Sequence, residues 1–244
     1  MDDTPVALDS YEAMAERYAE AVRTKPYNAH LERPALRALL PEVRGFRILD
    51  AGCGAGINLP WLLEQGAREV VGVDVSPRML ALARQEAPSP QVALHVADLG
   101  RPLDFLVDAS FDGVFSSLVV HYIRDQAALF AEFARLLRPG GFFVFSTHHP
   151  YADHQWHGGS YFETRLVTDE WRMAGEPMTV SYYRRPLSAV TGALAGAGFV
   201  IDRLTEALPT PEFQRLDPEG YARQMEKPSF LCVRATCCES EPPH

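Results

Sequence analysis

Residues 48–56, Ile-Leu-Asp-Ala-Gly-Cys-Gly-Ala-Gly, decide the fold of this chain. Apolar residues typical of a buried strand lead directly into three glycines spaced G-x-G-x-G, and Leu59, Leu62 and Leu63 then recur at helical spacing. Glycine is required where a chain turns sharply from strand to helix and where a ligand lies against bare backbone. The stretch therefore predicts the strand, loop and helix that open a nucleoside-binding β-α-β unit.

A carboxylate follows at the place where such a unit needs one. The next predicted strand, Glu69 to Asp74, ends roughly twenty residues after the loop, the interval at which a carboxylate can accept both ribose hydroxyls. The alternative is that the glycines only close the turn between strand and helix and bind no ligand. The order of strand, loop, helix, strand and acid favours a ligand site over that alternative.

Two features of the loop distinguish between nucleosides. A nicotinamide dinucleotide fingerprint requires G-x-G-x-x-G, and the position of its third glycine is occupied by Ile57. Asp50, at the mouth of the loop, would repel a pyrophosphate but attract the ammonium and sulfonium groups of S-adenosylmethionine. The loop therefore favours a cationic cofactor.

The rest of the chain alternates between strand-like and helix-like patterns, which predicts crossover helices and a parallel sheet covered on both faces. A helix is expected from Leu8 to Val22, where Asp9 and Glu12 resemble a capping box, and a second helix from Pro34 through Leu40. Five strands are expected near Phe46 to Asp50, Val70 to Asp74, Gln91 to Ala97, Phe111 to Ser117 and Gly141 to His148.

The segment after the fifth strand, residues 151–185, is expected to be irregular. A helix from Pro186 to Ala197 and strands at Phe199 to Leu204 and Ser229 to Ala235 follow, with a loop or short helix beside the cleft over Leu208 to Pro228. Aromatic side chains are dense in the irregular segment, and they form either the wall of a pocket for a flat ligand or a small core. They are Tyr151, Trp156, Tyr161, Phe162, Trp171, Tyr182 and Tyr183.

Composition limits the partners and the compartment. The 244 residues are 47% hydrophobic and 23% charged, which is typical of a folded globular protein. A net charge of -9 opposes binding to phosphate backbones, so no nucleic acid partner is expected. Residues 1–5 are acidic and no long apolar run follows them, which predicts a cytoplasmic protein without a membrane partner. The four cysteines show no paired spacing and are expected to be reduced thiols.

These ordered motifs resemble those of class I S-adenosylmethionine-dependent methyltransferases, in particular the bacterial enzymes that act on small molecules. The resemblance implies a Rossmann-like, doubly wound α/β fold of seven strands in the order 3-2-1-4-5-7-6, with strand seven antiparallel, N-terminal helices and an insertion after strand five. It implies one methyltransferase domain over residues 1–244. Its expected parts are a helical lid, a cofactor-binding core, a substrate-side insertion and a C-terminal helix with strands, at residues 1–45, 46–150, 151–185 and 186–236.

The resemblance also implies roles for individual residues. Asp74 would bind the ribose, Val75 would lie against the adenine and Asp98 would accept from the adenine amino group, while Ser116 and Ser117 would lie near the transferable methyl. The fourth motif is Ser-Ser-Leu-Val and departs from the N-P-P-Y and D-P-P-Y types that modify nucleic acid bases, which favours a small acceptor. The predicted cofactor-binding residues are Tyr18, Asp50, Gly52, Cys53, Gly54, Gly56, Asp74, Val75, Asp98, Leu99 and Ser116.

Three histidines are candidates for a general base, namely His121 after the fourth strand and His148 and His149 at the end of the fifth. Imidazole titrates near neutral pH, but hydrogen-bonded structural histidines are the alternative interpretation. His148 and His149, with His154 and His157, match no standard zinc spacing, and methyl transfer requires no metal, so none is predicted.

The sequence thus predicts transfer of a methyl group from S-adenosylmethionine to an O, N, S or C nucleophile of a small molecule. Two other functions fit parts of the pattern. One is an NAD(P)-dependent Rossmann oxidoreductase, which the absent third glycine disfavours. The other is a non-catalytic regulator that binds S-adenosylmethionine.

Overall fold

The computed structural model describes residues 4–173 and 175–238, and Met1 to Asp3 of the acidic N-terminus lie outside the described residues. Within these ranges nine strands form two sheets, of seven and two strands. The strands are β1 (Arg47–Ala51), β2 (Glu69–Asp74), β3 (Val92–Val96), β4 (Phe111–Ser116), β5 (Leu137–His148), β6 (Arg165–Met173), β7 (Glu176–Arg184), β8 (Phe199–Glu206) and β9 (Phe230–Cys237).

The large sheet has the order β3-β2-β1-β4-β5-β9-β8. Strands β1 to β5 pair in parallel, and β9 pairs antiparallel with both β5 and β8. Because β6 and β7 form a separate hairpin inside the insertion, β8 and β9 are the sixth and seventh strands of the predicted sheet. The predicted order and the antiparallel seventh strand are therefore confirmed.

Ten α-helices lie in the described part of the chain, together with a π-helical turn at Asn28–Glu32 and a 3-10 turn at Val120–Tyr122. The helices are α1 (Leu8–Ala13), α2 (Ala15–Thr24), α3 (Arg33–Arg37), α4 (Leu59–Glu64), α5 (Pro77–Glu86), α6 (Gln126–Leu136), α7 (Pro150–His157), α8 (Leu187–Gly196), α9 (Pro211–Leu216) and α10 (Pro218–Glu226).

The N-terminal helical region differs from its prediction in two ways. The expected single helix is broken at Met14 into α1 and α2. The expected capping box is absent, since Ala7 precedes α1 and makes no side-chain cap. Glu12 instead accepts hydrogen bonds from the Ser76 hydroxyl and the Arg78 backbone N–H, so its carboxylate ties α1 to the start of α5 rather than to its own helix.

The core lies on both faces of the large sheet, as crossover helices require. Alternation along β5 shows the two layers, because Phe143 packs on one face with side chains of α6 and α8, while Val144 packs on the other face with side chains of α3, α4 and α5. Both faces are buried, so the carboxyl edge of the parallel strands is the part of the sheet left for ligands.

Two segments are more regular than predicted. Residues 151–185 were expected to be irregular, and they contain most of α7 and the β6–β7 hairpin, in which Met178, Val180 and Tyr182 are buried at alternate positions. This period-two pattern is present in the sequence, where Thr179 and Ser181 alternate with the three buried residues, and it is sufficient to predict a strand there. Residues 208–228 form α9 and α10, capped by the Thr210 and Asp217 side chains, and none of them lines the cleft described below.

None of the helices in residues 4–173 and 175–238 is long and apolar enough to cross a membrane.

Candidate active site

A cleft of about 380 Å³ lies at the carboxyl edge of the parallel strands. This is the edge at which open α/β sheets bind ligands, and the volume is within the range of small-molecule sites. Its described walls come from residues 4–8, Tyr11, Tyr18, Gly52, Gly54, Asp74, Val75, Met79, 97–100, 117–119, 122–125 and Tyr183.

Seven of the eleven predicted cofactor-binding residues lie on the wall of this cleft and four do not. Those on the wall are Tyr18, Gly52, Gly54, Asp74, Val75, Asp98 and Leu99. Those behind it are Asp50, Cys53, Gly56 and Ser116. Of these seven residues, all except Tyr18 stand at or follow the carboxyl end of β1, β2 or β3. The topology therefore brings together residues that are up to 47 positions apart in the sequence, from Gly52 to Leu99.

Asp74 is held in place by the glycine loop. The Gly54 backbone N–H donates to its Oδ2 atom at 2.8 Å, and the Ser76 N–H donates to its Oδ1 atom at 2.9 Å. Burial raises the pKa of Asp74, and these hydrogen bonds act against that rise. An ionised carboxylate has about four acceptor sites, so the remaining lone pairs can accept ribose hydroxyls.

The three glycines of the loop have different tasks. All have positive φ, at +78°, +53° and +85° for Gly52, Gly54 and Gly56. A Cβ on Gly52 would lie 2.3 Å from a Val119 methyl, and one on Gly56 would lie 2.9 Å from the Ala83 Cα atom, so both positions allow close packing. A Cβ on Gly54 would meet nothing within 4 Å. Among the three, only Gly54 has open space where a side chain would stand, and this space belongs to the cleft.

Asp50 lies behind the loop and is 1% exposed. Its Oδ2 atom has no hydrogen-bond partner among the described residues. The pKa of Asp50 is raised from 3.8 to about 7, mainly by burial and then by the Asp74 charge, while the Arg37 charge acts against the rise. Cys53 is also buried there, with its Sγ atom 2.9 Å from where a Gly72 Cβ would stand, so it fills space under the loop.

The buried Asp50 carboxyl should make the stability of the ligand-free protein depend on pH. A group with a higher pKa when folded binds its proton more tightly in the folded state, so it favours folding at low pH, and this contribution is lost as the pH rises from about 4 to about 7. At pH 8 we expect Asp50→Asn to unfold at a higher temperature than wild type, by roughly 2–4 °C for each kcal/mol by which the buried charge destabilises wild type. Near pH 4 the variant should lose that advantage. Calorimetric melting at both pH values checks this, and an equal gap at both would contradict it.

Of the two serines at the end of β4, one is buried in the core and the other lines the cleft. Ser116 is buried, and its hydroxyl donates to the Ala51 carbonyl at 2.8 Å, which joins β4 to β1. Ser117 lies on the cleft wall, and its hydroxyl donates to the Glu32 Oε1 atom at 2.9 Å. β4 ends at Ser116, so Ser117 begins the loop that lines the cleft.

Three tyrosines, Tyr11, Tyr18 and Tyr122, form part of the cleft wall. The Tyr11 and Tyr122 hydroxyls are 2.7 Å apart, and the Tyr11 and Tyr18 rings meet edge to face at 4.8 Å. Burial raises the pKa of all three, so they are neutral hydroxyl groups. The Y-x-x-x-A-x-x-Y spacing indicates that Tyr11 and Tyr18 line the cleft. No local pattern indicates the same of Tyr122, which is 111 residues from Tyr11.

Asp98 lies on the cleft wall after β3. Its Oδ1 atom accepts the Gly100 backbone N–H at 2.8 Å, and its Oδ2 atom is 3.6 Å from the Arg101 Nε atom. The carboxylate thus orders the turn that also brings Leu99 to the cleft.

The histidines predicted as candidate bases lie outside the cleft wall. His121 and His148 stack with ring centroids 4.0 Å apart, and His121 lies 4.2 Å behind the Tyr122 ring. Burial is the main cause that lowers the pKa of both, to about 4 for His148, so both imidazoles are neutral near pH 7. The His121 Nε2 and His148 Nδ1 atoms have no hydrogen-bond partner within the described ranges.

His149 caps a helix. Its Nδ1 atom accepts the Tyr151 N–H at the start of α7, which places the proton on Nε2, 3.1 Å from the Glu206 Oε1 atom. We expect His149→Ala to lower the free energy of unfolding by about 1 kcal/mol, the usual cost of losing an N-cap. Chemical denaturation measures this value. If stability were unchanged while methyl transfer was lost, His149 would have the catalytic role instead.

Within residues 4–173 and 175–238, no three His, Cys, Asp or Glu side chains are placed to hold a metal ion.

Comparison with known proteins agrees with this architecture. Residues 49–145 match the sequence model of a family described as "Methyltransferase domain". A malonyl-[acyl-carrier protein] O-methyltransferase of Serratia marcescens is 38% identical over 142 residues, covering 56% of this chain and 52% of that protein. An uncharacterized protein of Haemophilus influenzae is 34% identical over 128 residues, covering 50% of each. The chain spans about half the length of the curated relatives it matches.

A solved structure extends the similarity over most of the chain. The crystal structure of an S-adenosylmethionine-dependent methyltransferase from Mesorhizobium loti is 33% identical and superposes with a TM-score of 0.70. The match covers 88% of this chain and 99% of that one.

Proposed function

The chain belongs to the class I S-adenosylmethionine-dependent methyltransferases, and from that membership we propose that it transfers a methyl group from S-adenosylmethionine to an O, N, S or C nucleophile of a small molecule. The substrate part of the proposal rests on the acidic net charge, on the Ser-Ser-Leu-Val fourth motif and on the small size of the cleft.

The charge of the cleft is the observation that carries the proposal. Among the described residues that line it, three are carboxylates, Asp74, Asp98 and Asp125, and one is a guanidinium, Arg124. A pyrophosphate would be repelled by this wall, whereas a ligand with positive groups would be attracted. The residues therefore fit S-adenosylmethionine better than a nicotinamide dinucleotide.

The wall also offers places for the parts of an adenosyl ligand. Asp74 has lone pairs left for the ribose hydroxyls, and the space above Gly54 allows a ligand to lie against the backbone. We propose that Asp98 and Leu99 hold the adenine and that Tyr18 covers the cofactor. Asp50, Cys53, Gly56 and Ser116 would then support the site by packing beneath it rather than by contact.

When bound, S-adenosylmethionine supplies an electrophilic methyl group on its sulfonium. The chain's own contribution is to hold both partners in line and to exclude water with the N-terminal segment, which forms part of the cleft wall from residue 4 to residue 18. Positioning alone is worth up to about 7–11 kcal/mol in favourable systems, so a base is optional. A general-base role for His121 or His148 stays a prediction: the His121 ring contacts the Tyr122 ring of the wall, and the His148 ring stacks on His121 behind it.

Titration calorimetry with S-adenosylmethionine, S-adenosylhomocysteine and NADH tests the cofactor assignment. We expect heat from the two adenosyl ligands and none from NADH, and the reverse pattern would mean an oxidoreductase. Transfer of label from methyl-labelled S-adenosylmethionine to a metabolite library then tests the activity. Binding without transfer to any member would favour a regulator.

The single-domain organisation over residues 1–244 and the cytoplasmic location stay predictions from the sequence. The acceptor is proposed as a small molecule, with neither nucleic acid nor membrane as partner.

A further inference from the structure

Glu32 is a buried carboxyl group that the cofactor assignment leaves without a role. It ends the π-helical turn at Asn28–Glu32 and is 2% exposed. Its Oε1 atom accepts the Ser117 hydroxyl at 2.9 Å and the Ser146 hydroxyl at 2.5 Å. These serines stand at the carboxyl ends of β4 and β5, so a residue from the N-terminal helices reaches beneath the end of the cleft.

No cation forms a close ion pair with Glu32 within the described residues, although the more distant Arg33 and Arg37 charges lower its pKa. No Arg or Lys nitrogen lies within 4.0 Å of its carboxylate there, since the nearby Arg33 donates to the Val22 carbonyl and Arg37 donates to the Asn58 side chain. Burial raises the pKa of Glu32, and the two serine hydrogen bonds act against that rise, so the ionised carboxylate is costly when hydroxyls are its only hydrogen-bond partners. A positive ligand group nearby would supply the missing partner.

Ser117 connects this charge to the cleft. A serine hydroxyl has one hydrogen and two lone pairs, and the Ser117 hydrogen is donated to Glu32. Only lone pairs of the Ser117 oxygen therefore remain for a ligand. The Ser117 end of the cleft is an acceptor backed by a carboxylate, which suits a cation and disfavours an anion.

The backbone around Ser117 is held by the same carboxylate. Leu118 has a φ of +56°, a left-handed conformation that is strained for a residue with a Cβ atom. Its N–H donates to the Ser146 hydroxyl oxygen at 2.9 Å, and Ser146 in turn donates to Glu32. Ser146 thus supports the backbone, whereas Ser117 connects the Glu32 carboxylate to the cleft.

Strand order indicates which ligand group meets Ser117. A ribose on Asp74 lies over the end of β2, with the base towards Asp98 on the β3 side. Its 5′ substituent must then point the other way, over β1 and β4. The ends of β2 and β4 are two strand spacings apart, roughly 10 Å, which places the sulfur on the 5′ carbon near Ser117.

We propose that Glu32 is a positioning residue that acts through Ser117 to make the β4 end of the cleft selective for the sulfonium of S-adenosylmethionine over the neutral thioether of S-adenosylhomocysteine. The inference rests on the proposed cofactor. As a consequence, the protein retains S-adenosylmethionine and releases the uncharged product S-adenosylhomocysteine more readily.

Titration calorimetry on the full chain gives the ratio of the dissociation constants for S-adenosylhomocysteine and S-adenosylmethionine, without an acceptor. Gln in place of Glu32 is neutral and can donate to the Ser117 oxygen, which frees the hydroxyl hydrogen to point into the cleft. We expect Glu32→Gln and Ser117→Ala each to reduce the ratio by about 5- to 10-fold, mainly through weaker S-adenosylmethionine binding.

Two further variants distinguish an effect on selectivity for the charged ligand from a general structural effect on binding. Ser146→Ala loosens Leu118 but leaves the Ser117 contact, so it should weaken both ligands alike and leave the ratio within about 2-fold. Glu20→Gln removes the same charge from an exposed position on α2 and should change neither constant. If Glu32→Gln does not fold, Ser117→Ala decides the question.

An unchanged ratio in the variants at both positions 32 and 117 would overturn the inference, and Glu32 would then serve the fold alone. If wild type bound S-adenosylmethionine normally in that case, the proposed function would stand. If wild type bound neither adenosyl ligand, the proposed function and this inference would both be wrong.

Discussion

Replacing Asp74 with alanine is expected to weaken S-adenosylmethionine binding by at least about 10- to 100-fold, which is the loss of a single hydrogen bond to a charged group. Hydrogen bonds to a charged group are each worth about 1.5–3 kcal/mol, and the ribose hydroxyls would lose theirs. The change also removes the acceptor of the Gly54 and Ser76 N–H groups, so the glycine loop loses its anchor. Titration calorimetry at fixed salt and pH measures the change in affinity.

The matched control is Asp104→Ala, which removes a carboxylate from an exposed position away from the cleft wall. It should bind S-adenosylmethionine like wild type, so a shared loss would indicate a general charge effect. Retained affinity in Asp74→Ala would show that the ribose lies elsewhere, and the placement of the ligand along the strands would then be wrong.

Gly54→Asn is expected to reduce S-adenosylmethionine affinity by at least about 10- to 100-fold while the protein stays folded. Asn tolerates the left-handed conformation that this position requires, so the substitution causes little backbone strain. Its side chain would enter the open space above residue 54, which no protein atom fills and which the ligand needs. Calorimetry measures affinity, and thermal melting shows whether the fold is intact.

Gly56→Ala serves as the contrasting variant. A methyl group there would press against the Ala83 backbone of α5, so we expect a loss of stability, of the order of 1–3 kcal/mol, rather than a filled cleft. Opposite results, with Gly54→Asn unstable and Gly56→Ala unable to bind, would mean that the two glycines have exchanged roles.

The fold and the cofactor side of the cleft follow from local patterns. The strand, glycine loop and acid from Ile48 to Asp74 have the predicted order because turn geometry demands glycine and because the side chain ending β2 must face the cleft. The resemblance, rather than any pattern, supplied the strand order, which the structure confirms with an added hairpin.

Sequence patterns are less informative about the contacts that the N-terminal helices make at the cleft. The contacts there join residues far apart in the chain, such as Tyr11 with Tyr122 and Glu32 with Ser117, 111 and 85 positions apart. No periodicity within a helix or strand indicates such pairs. The hairpin of the insertion differs, because the buried residues Met178, Val180 and Tyr182 alternate with Thr179 and Ser181, and this local pattern does indicate a strand.

By itself, the sequence determined the α/β class, the glycine loop and the carboxylates after β2 and β3, since backbone conformation and strand ends depend on neighbours along the chain. Tertiary structure alone decided that Ser117 rather than Ser116 faces the cleft, that His121 and His148 stack behind its wall, and that Glu32 reaches beneath it. Side-chain direction and burial depend on packing between distant elements, and a linear pattern does not contain that packing.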